Sequence, residues 1–281
     1  PWRRFALENA VIPGQPPAHT AVGSNYLSIC QHSSGYASEG ALEAYAGILE
    51  VLAGRSDSFT LEYPCHSSER QRWFSMIATP LGTEVQGVVI SHTNITQRKQ
   101  SEALLAMQAR RAEGLLSLPS AAERMDEREF MQFGQELAEE LTGSRIAFIH
   151  FVNDDQETIE LVTWSRATLE HYCKAVYDSH YPISQAGIWA DALRRAGPVV
   201  FNDYANAPEK HGLPEGHAEL IRLISVPVLE GGKVRMMAGV GNKPEPYTDL
   251  DVETVQLIAN TIWCIVHQQR AEAALIGSES R

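Results

Sequence analysis

The run Gly87-Val88-Val89-Ile90-Ser91-His92-Thr93-Asn94-Ile95-Thr96-Gln97-Arg98-Lys99 changes character within a few residues. Its first half is short, apolar and β-branched, the composition of a strand. From Thr93 to about Leu118 strand formers are scarce and no glycine occurs until Gly114, the composition of a helix. A strand that feeds directly into a helix near Thr96 divides the chain. Upstream, Phe59-Thr60-Leu61-Glu62-Tyr63 and Trp73-Phe74-Ser75-Met76-Ile77-Ala78-Thr79 alternate, so three β runs predict an antiparallel meander. They follow a helical stretch over 39–52, with Leu42, Ala46, Leu49 and Leu52 at helical spacing and Gly54 as its stop.

Downstream the same order repeats. Phe130, Phe133, Leu137 and Leu141 mark an amphipathic helix over 127–141, closed by Thr142-Gly143. Segments 145–152 and 158–164 read as strands paired across Asn153-Asp154-Asp155, and 187–195 as a short helix. Val199-Val200-Phe201 is a short apolar strand. Segments 222–229 and 234–241 form a hairpin around Glu230-Gly231-Gly232-Lys233. A long helix runs from about Asp249 to Leu275. Its Val252, Val255, Ala259, Ile262, Val266, Gln269, Ala273 and Ile276 follow a 3-4 spacing, the pattern of a coiled-coil seam, or of a helix whose first half packs on its own sheet while the rest is solvated. Leu105, Ala109, Ala112 and Leu116 make a poorer seam on the connecting helix. The fold class is therefore α+β: two domains, each an antiparallel sheet flanked by helices, joined by a connecting helix.

The 281 residues suffice for two cores, with 44% hydrophobic and 21% charged residues. A net charge of -12 repels phosphate backbones, which argues against nucleic acid as a direct partner. No apolar run approaches the roughly 20 residues that span a bilayer, and no signal segment is visible, so no direct membrane contact and a cytoplasmic setting are expected. Cys30, Cys65, Cys173 and Cys264 are widely spaced and read as reduced thiols. A first residue Pro1 without Met and a polar tail suggest a piece of a longer protein.

Two family resemblances follow. Tyr63-Pro64-Cys65-His66, Arg72-Trp73-Phe74, the run Gly87 to His92 and Asn94-Ile95-Thr96-Gln97-Arg98-Lys99 resemble the second half of PAS domains as they end in bacterial sensor histidine kinases and diguanylate cyclases. The family's first strand has no counterpart before Trp2. Ala186-Gly187-Ile188-Trp189-Ala190-Asp191, Asn202-Asp203-Tyr204-Ala205, Gly212-Leu213-Pro214-Glu215-Gly216-His217 and Gly239-Val240-Gly241-Asn242-Lys243 resemble a GAF domain. The resemblance implies an N-terminally truncated PAS-like domain over 1–95, a connecting helix over 96–118, a GAF-like domain over 119–268, and a helix over 269–281 leading to an output domain in the same polypeptide.

The sequence carries no catalytic signature: no phosphate-cradling GxxxxGK[ST] loop, no kinase ATP-binding domain and no cyclase Gly-Gly-Asp/Glu-Glu-Phe loop. Cys65-His66 and His171-Tyr172-Cys173 lack the spacing of a four-ligand metal site. No cofactor is indicated, and Cys173 lacks the neighbouring His usual for a bilin tether. The polar belt of the GAF-like half is the candidate ligand site. Asn202, Asp203 and Tyr204 follow a strand, His211, Glu215 and His217 come shortly after, and Asn242 and Lys243 end the next strand. They could line a pocket for a small polar or anionic molecule of unknown identity, with Lys243 or His211 as the cation, and Trp189 as a wall. The competing reading is turn architecture, because Asn and Asp beside Gly and Pro satisfy loop backbones. In the PAS-like half Asn25, Tyr26, Tyr63 and Trp73 could line a cavity, with His32 and His66 as candidate haem ligands; a filled core is favoured.

The expected function is sensory input and relay through a parallel homodimer. The alternatives are a thiol enzyme built on Cys173 with His171 or His217, and a dimerisation scaffold without ligand.

Overall fold

The computed structural model describes residues 23–33, 38–66, 70–82, 86–168, 180–208 and 219–279. The chain divides into two compact units, Pro1–Ala106 and Met107–Arg281.

In the first unit α1 (Tyr26–His32) starts where the Asn25 side chain accepts the Ser28 N–H at 3.0 Å. This leaves one fewer orphan donor at the helix start. Helix α2 (Ala41–Leu52) buries Ala44, Gly47, Ile48 and Val51. Gly47 is small by necessity: a Cβ there would lie 2.4 Å from the Phe59 ring. Strands β1 (Phe59–Pro64), β2 (Trp73–Pro80) and β3 (Val88–Asn94) form an antiparallel sheet in the order β1-β2-β3. Leu61, Met76 and His92 share one cross-strand row. Cys30, Ala44, Ile48, Leu61, Met76 and Ala78 form the core between α1, α2 and this sheet. The meander read from the sequence is present with its strand order.

Helix α3 (Thr96–Ala122) carries the chain from the first unit into the second. The sequence reading ended it at Leu118, ahead of Pro119. It continues through Pro119, which removes one N–H from the ladder. The last turn persists because Leu118, Ala121 and Ala122 are buried in the second unit's core. Helix α4 (Glu127–Thr142) opens with a capping box. The Asp126 carboxylate accepts the Glu129 N–H at 2.8 Å, and the Glu129 carboxylate accepts the Asp126 N–H at 3.3 Å. It closes on Gly143 at φ 70°, a conformation that favours glycine.

Strands β4 (Ile146–Val152), β5 (Thr158–Trp164), β6 (His180–Pro182), β7 (Val199–Phe201), β8 (Leu223–Glu230) and β9 (Lys233–Gly241) make a six-stranded sheet in the order β6-β5-β4-β9-β8-β7, antiparallel throughout. Gly231 and Gly232, at φ 61° and 77°, join β8 to β9 with Glu230 opposite Lys233. Two positive φ values are what a two-residue hairpin with the right-handed strand twist requires. The last element is α6 (Asp249–Glu279).

Alternation along the strands sends residues to two faces. Ala147, Ile149, Phe151, Ile224, Val226, Val228, Met236, Ala238 and Val240 pack under α4 and α6. Ile146, Val152, Leu223, Val234 and Met237 point the other way, under the segment from Ile183 to Tyr204. Val255, Ala259, Ile262 and Val266 belong to the helix-covered core and are buried. The first half of the expected dimer seam is thus the helix's own contact with its sheet. Only Gln269, Ala273 and Ile276 of that stripe are exposed. All four residues of the poorer α3 seam, Leu105, Ala109, Ala112 and Leu116, are exposed.

One buried polar chain ties α4 to the end of β5. The Ser165 hydroxyl donates to the Glu139 carboxyl and lies 2.7 Å from the Thr168 hydroxyl, which accepts the Ala147 N–H at 3.2 Å. Burial pushes the Glu139 carboxyl above its usual range, against the opposing hydrogen bond from Ser165.

Candidate functional site

The loop-covered face of the six-stranded sheet is where polar groups enter an otherwise apolar layer. Two 3-10 turns, Ile183–Gln185 and Ile188–Ala190, lead into α5 (Asp191–Arg194). Arg194 holds this segment closed. One guanidinium nitrogen donates to the Gly187 carbonyl at 3.1 Å and to Asp191 Oδ1 at 2.6 Å. The other donates to the carbonyls of Ile183 at 2.9 Å and Ala186 at 2.6 Å. The Ile183 and Gly187 carbonyls also accept the Ala186 and Ala190 N–H groups at 3.0 Å, so the guanidinium adds a second, charge-assisted bond to each.

Trp189 is set by this clamp. Its ring stacks on His150 at 4.6 Å and 27°, and meets Phe148 edge-on at 5.8 Å and 75°. Phe148 lies over Gly239, where a Cβ would come within 2.3 Å of Phe148 Cζ and 2.6 Å of the Ile224 carbonyl. Ser225 is the cross-strand neighbour of Gly239 on the next strand. A Cβ on Gly187 would stand 3.1 Å from Trp189 and 3.9 Å from the Tyr204 oxygen. The wall thus runs from Ser225 past Gly239, Phe148 and Trp189 to Tyr204.

Two hydroxyls in this layer are orphaned. Tyr204 is 2% exposed and Ser225 0%. Neither oxygen has a hydrogen-bond partner among the described residues. Burial pushes the Tyr204 hydroxyl up to about 12, with the Asp191 carboxylate adding to the effect. Tyr204 is therefore a neutral donor and acceptor.

The residues singled out from the sequence separate into groups. Tyr204 and Trp189 lie in this layer. Asn202 does not: its side chain accepts the Tyr247 N–H at 2.6 Å and donates to the Tyr247 carbonyl at 3.1 Å, fixing the approach to α6. Asp203 forms a turn. It accepts from the Asn206 amide at 2.8 Å and backbone at 3.3 Å, bonds that hold its carboxyl below the usual range. Asn242 sits at φ 61° and bridges the Ile221 N–H and the Glu219 carbonyl, each at 2.8 Å. Lys243 is paired with Asp251 through two contacts of 2.8 and 2.9 Å, and Asp251 also accepts the Thr248 N–H at the start of α6. The expected cation is thus engaged by the cap of a helix and not presented to a ligand. His211, Glu215 and His217 fall outside the described residues, as do His171 and Cys173.

His150, Ser225 and Arg194 were not singled out from the sequence, and Gly239 only as part of a family-like stretch. His150 and Ser225 each left a trace, a single polar residue inside an apolar strand.

In the first unit Asn25 is the cap of α1, and Tyr26 and Tyr63 converge on His92. The Tyr63 hydroxyl lies 2.8 Å from His92 Nδ1, and the Tyr26 hydroxyl 3.5 Å from Nε2. Burial lowers the His92 pKa and raises both phenols. His32 lies 2.8 Å from the Ser28 carbonyl, and His66 accepts the Arg72 N–H at 3.0 Å and meets Trp73 edge-on. Both histidines considered as haem ligands have local partners. Among the described residues no group of three or more His, Cys, Asp or Glu could hold a metal ion, and no helix is long and apolar enough to cross a membrane.

A family model described as GAF domain matches residues 124–267, just over half of the chain. The chain is 33% identical over 183 residues to the methyl sulfide methyltransferase-associated sensor of Methanosarcina acetivorans, covering 65% of this chain and 18% of that protein. It is 43% identical over 104 residues to an uncharacterized 104.1 kDa protein of Rhodobacter capsulatus, covering 36% of this chain and 11% of that one. The chain therefore spans less than a fifth of the length of either relative. Among solved structures, the GAF domain of a phosphoenolpyruvate-protein phosphotransferase from Coxiella burnetii superposes with a TM-score of 0.48 at 11% identity, covering 59% of this chain and 98% of that one.

Proposed function

The chain belongs to the GAF domain family, and from that premise we propose that it is the sensory input and relay region of a larger cytoplasmic signalling protein. In this reading the GAF domain takes a small molecule on the loop-covered face of its sheet. The first unit is a PAS-like module. The chain's helices carry the change to a histidine kinase or cyclase output domain in the same polypeptide. The observation that carries the ligand reading is the pair of orphan hydroxyls on Tyr204 and Ser225. A buried hydroxyl without a partner costs about 1–3 kcal/mol. Two of them in one layer, beside a glycine and an aromatic wall, are groups that a ligand would satisfy. The name of the Methanosarcina relative, a sensor, supports the same reading.

The ligand this layer fits is uncharged where it meets the sheet. The two terminal nitrogens of Arg194 are taken by carbonyls and Asp191, and Lys243 is held by Asp251. Among the described residues, recognition falls to two neutral hydroxyls and the stacked Trp189–His150 pair.

The test is a thermal-shift screen of metabolites and cyclic nucleotides against the protein and its Tyr204→Phe/Ser225→Ala variant. A ligand present at a hundred times its Kd adds about 2.7 kcal/mol, which raises Tm by roughly 5–10 °C in a domain of this size. The variant should lose most of that shift while keeping its own Tm. A shift of undiminished size in the variant would remove these hydroxyls from the site.

A further inference from the structure

We propose that the turn between α3 and α4 is a latch that holds α6 where it leaves the domain, gripped by Gln269 and Arg270. Val266 is the last buried residue of α6, and every residue from His267 to Ile276 is exposed. Apolar burial therefore does not hold this stretch to the sheet. Polar contacts do. Gln269 Nε2 donates to the Ala122 carbonyl at 3.2 Å. That carbonyl lies in the last turn of α3, where no intrahelical donor follows. Arg270 donates from Nε and one terminal nitrogen to the two carboxylate oxygens of Glu127, at 2.9 and 2.6 Å. Its guanidinium also lies over the Phe151 ring at 4.5 Å. Glu127 opens α4. Two adjacent residues of α6 thus grip the two sides of one corner. His267 stacks on Trp263 of its own helix, 3.5 Å from Glu230 on the β8–β9 hairpin, away from that corner.

The corner is also where α3 ends. Arg111 of α3 pairs with Glu253, 142 residues on, and Ala122 with Gln269, 147 residues on, so α3 and α6 run in the same direction. A shift of α3 along its axis moves the Ala122 carbonyl and, through the turn, Glu127. The last turn of α3 is its weakest part, because Pro119 supplies no N–H to the ladder. Solvent-exposed polar contacts are individually weak, so a modest bias from α3 changes the latched population severalfold. Released, α6 beyond Val266 is a short helix without a packed face, which water does not sustain. The latch deepens the relay reading and rests on it for what drives release.

Its existence is measured in this chain without ligand, so failure of the latch leaves the Tyr204–Ser225 site standing, and the reverse. The experiment is amide hydrogen exchange read by mass spectrometry on the whole chain. In Gln269→Ala/Arg270→Ala the amides of 269–274 should exchange about tenfold faster than in the parent. Those of 121–127 should accelerate by about fivefold as well, because coupling is reciprocal. Glu127→Arg and Arg270→Glu should each release the same segment, and the two together should restore most of its protection. Arg111→Ala, which breaks the other α3–α6 contact, should leave 269–274 within about twofold of the parent. None of these positions is buried, so the fold should persist. Unchanged exchange of 269–274 in the double alanine variant would remove the latch. Faster exchange there with an unmoved corner would reduce it to fraying at a helix end. A charge reversal that restores nothing, or an Arg111→Ala effect as large as that of the double alanine variant, would place the hold elsewhere and overturn it too.

Discussion

The helix-covered and loop-covered faces of the six-stranded sheet are built from alternate residues of the same strands, yet they differ in kind. Under α4 and α6 the strands contribute Ala, Ile, Val, Met and Phe in close succession. Under the Ile183–Tyr204 segment the same strands contribute His150, Ser225 and Gly239 beside Phe148. One face is made of groups whose burial stabilises at about 25 cal/mol per Å². The other includes groups whose burial costs free energy unless a partner arrives. The difference separates cohesion from recognition within one sheet.

Substitutions should expose that division, most sharply on the cohesive face. Ile224→Ala empties a fully buried position under the helices and should cost about 2–5 kcal/mol, measured by urea unfolding. Gly239→Val forces a branched side chain against Phe148 and the Ile224 carbonyl, with an expected cost of about 1–3 kcal/mol. Adding Phe148→Ala should recover only part of it, since the carbonyl cannot move aside. By contrast, Ser225→Ala and Tyr204→Phe should each leave unfolding within about 1 kcal/mol of the parent, in the stabilising direction, because each removes an orphan group. A loss as large as that of Ile224→Ala would mean these hydroxyls have partners and the two faces are alike.

The smallest effect is a slope. Glu139 has a raised pKa in the folded protein, chiefly through burial. Its contribution is therefore fully present below the ordinary glutamate range and declines as pH rises from there through the folded value. Glu139→Gln should flatten the stability profile over that interval, as read by thermal melts across pH. An unchanged slope would show that the carboxyl ionises freely where it sits.

Much of the architecture was legible because it follows from local signals. The Gly231-Gly232 hairpin, the Gly143 stop and the strand-to-helix change at Thr96 each need only a few adjacent residues. The α6 stripe admitted two readings, a seam between copies and a contact with its own sheet, because a 3-4 stripe announces a helix contact without saying against what. Its first half met the protein's own sheet. The candidate site was less legible still. Asn202, Asp203 and Asn242 looked like ligand groups because polar residues at strand ends serve turns and pockets alike, and here they bond backbone and Asn206. Ser225 and His150 acquire meaning only once the register sets them on the face opposite the helices.

The strand order β6-β5-β4-β9-β8-β7 has a consequence for how the domain forms. Pairs β4–β5 and β8–β9 join neighbours in sequence and can close early. The pair β4–β9 brings Ile146 to Gly241 across nearly the whole domain, so its closure sets the contact order and the folding rate. The chain between the two hairpins carries the recognition layer. Lengthening such a loop raises closure cost only logarithmically, about 0.6 kcal/mol for each doubling. The connections within the segment above the sheet can therefore change in length while the hairpins beneath it still find each other.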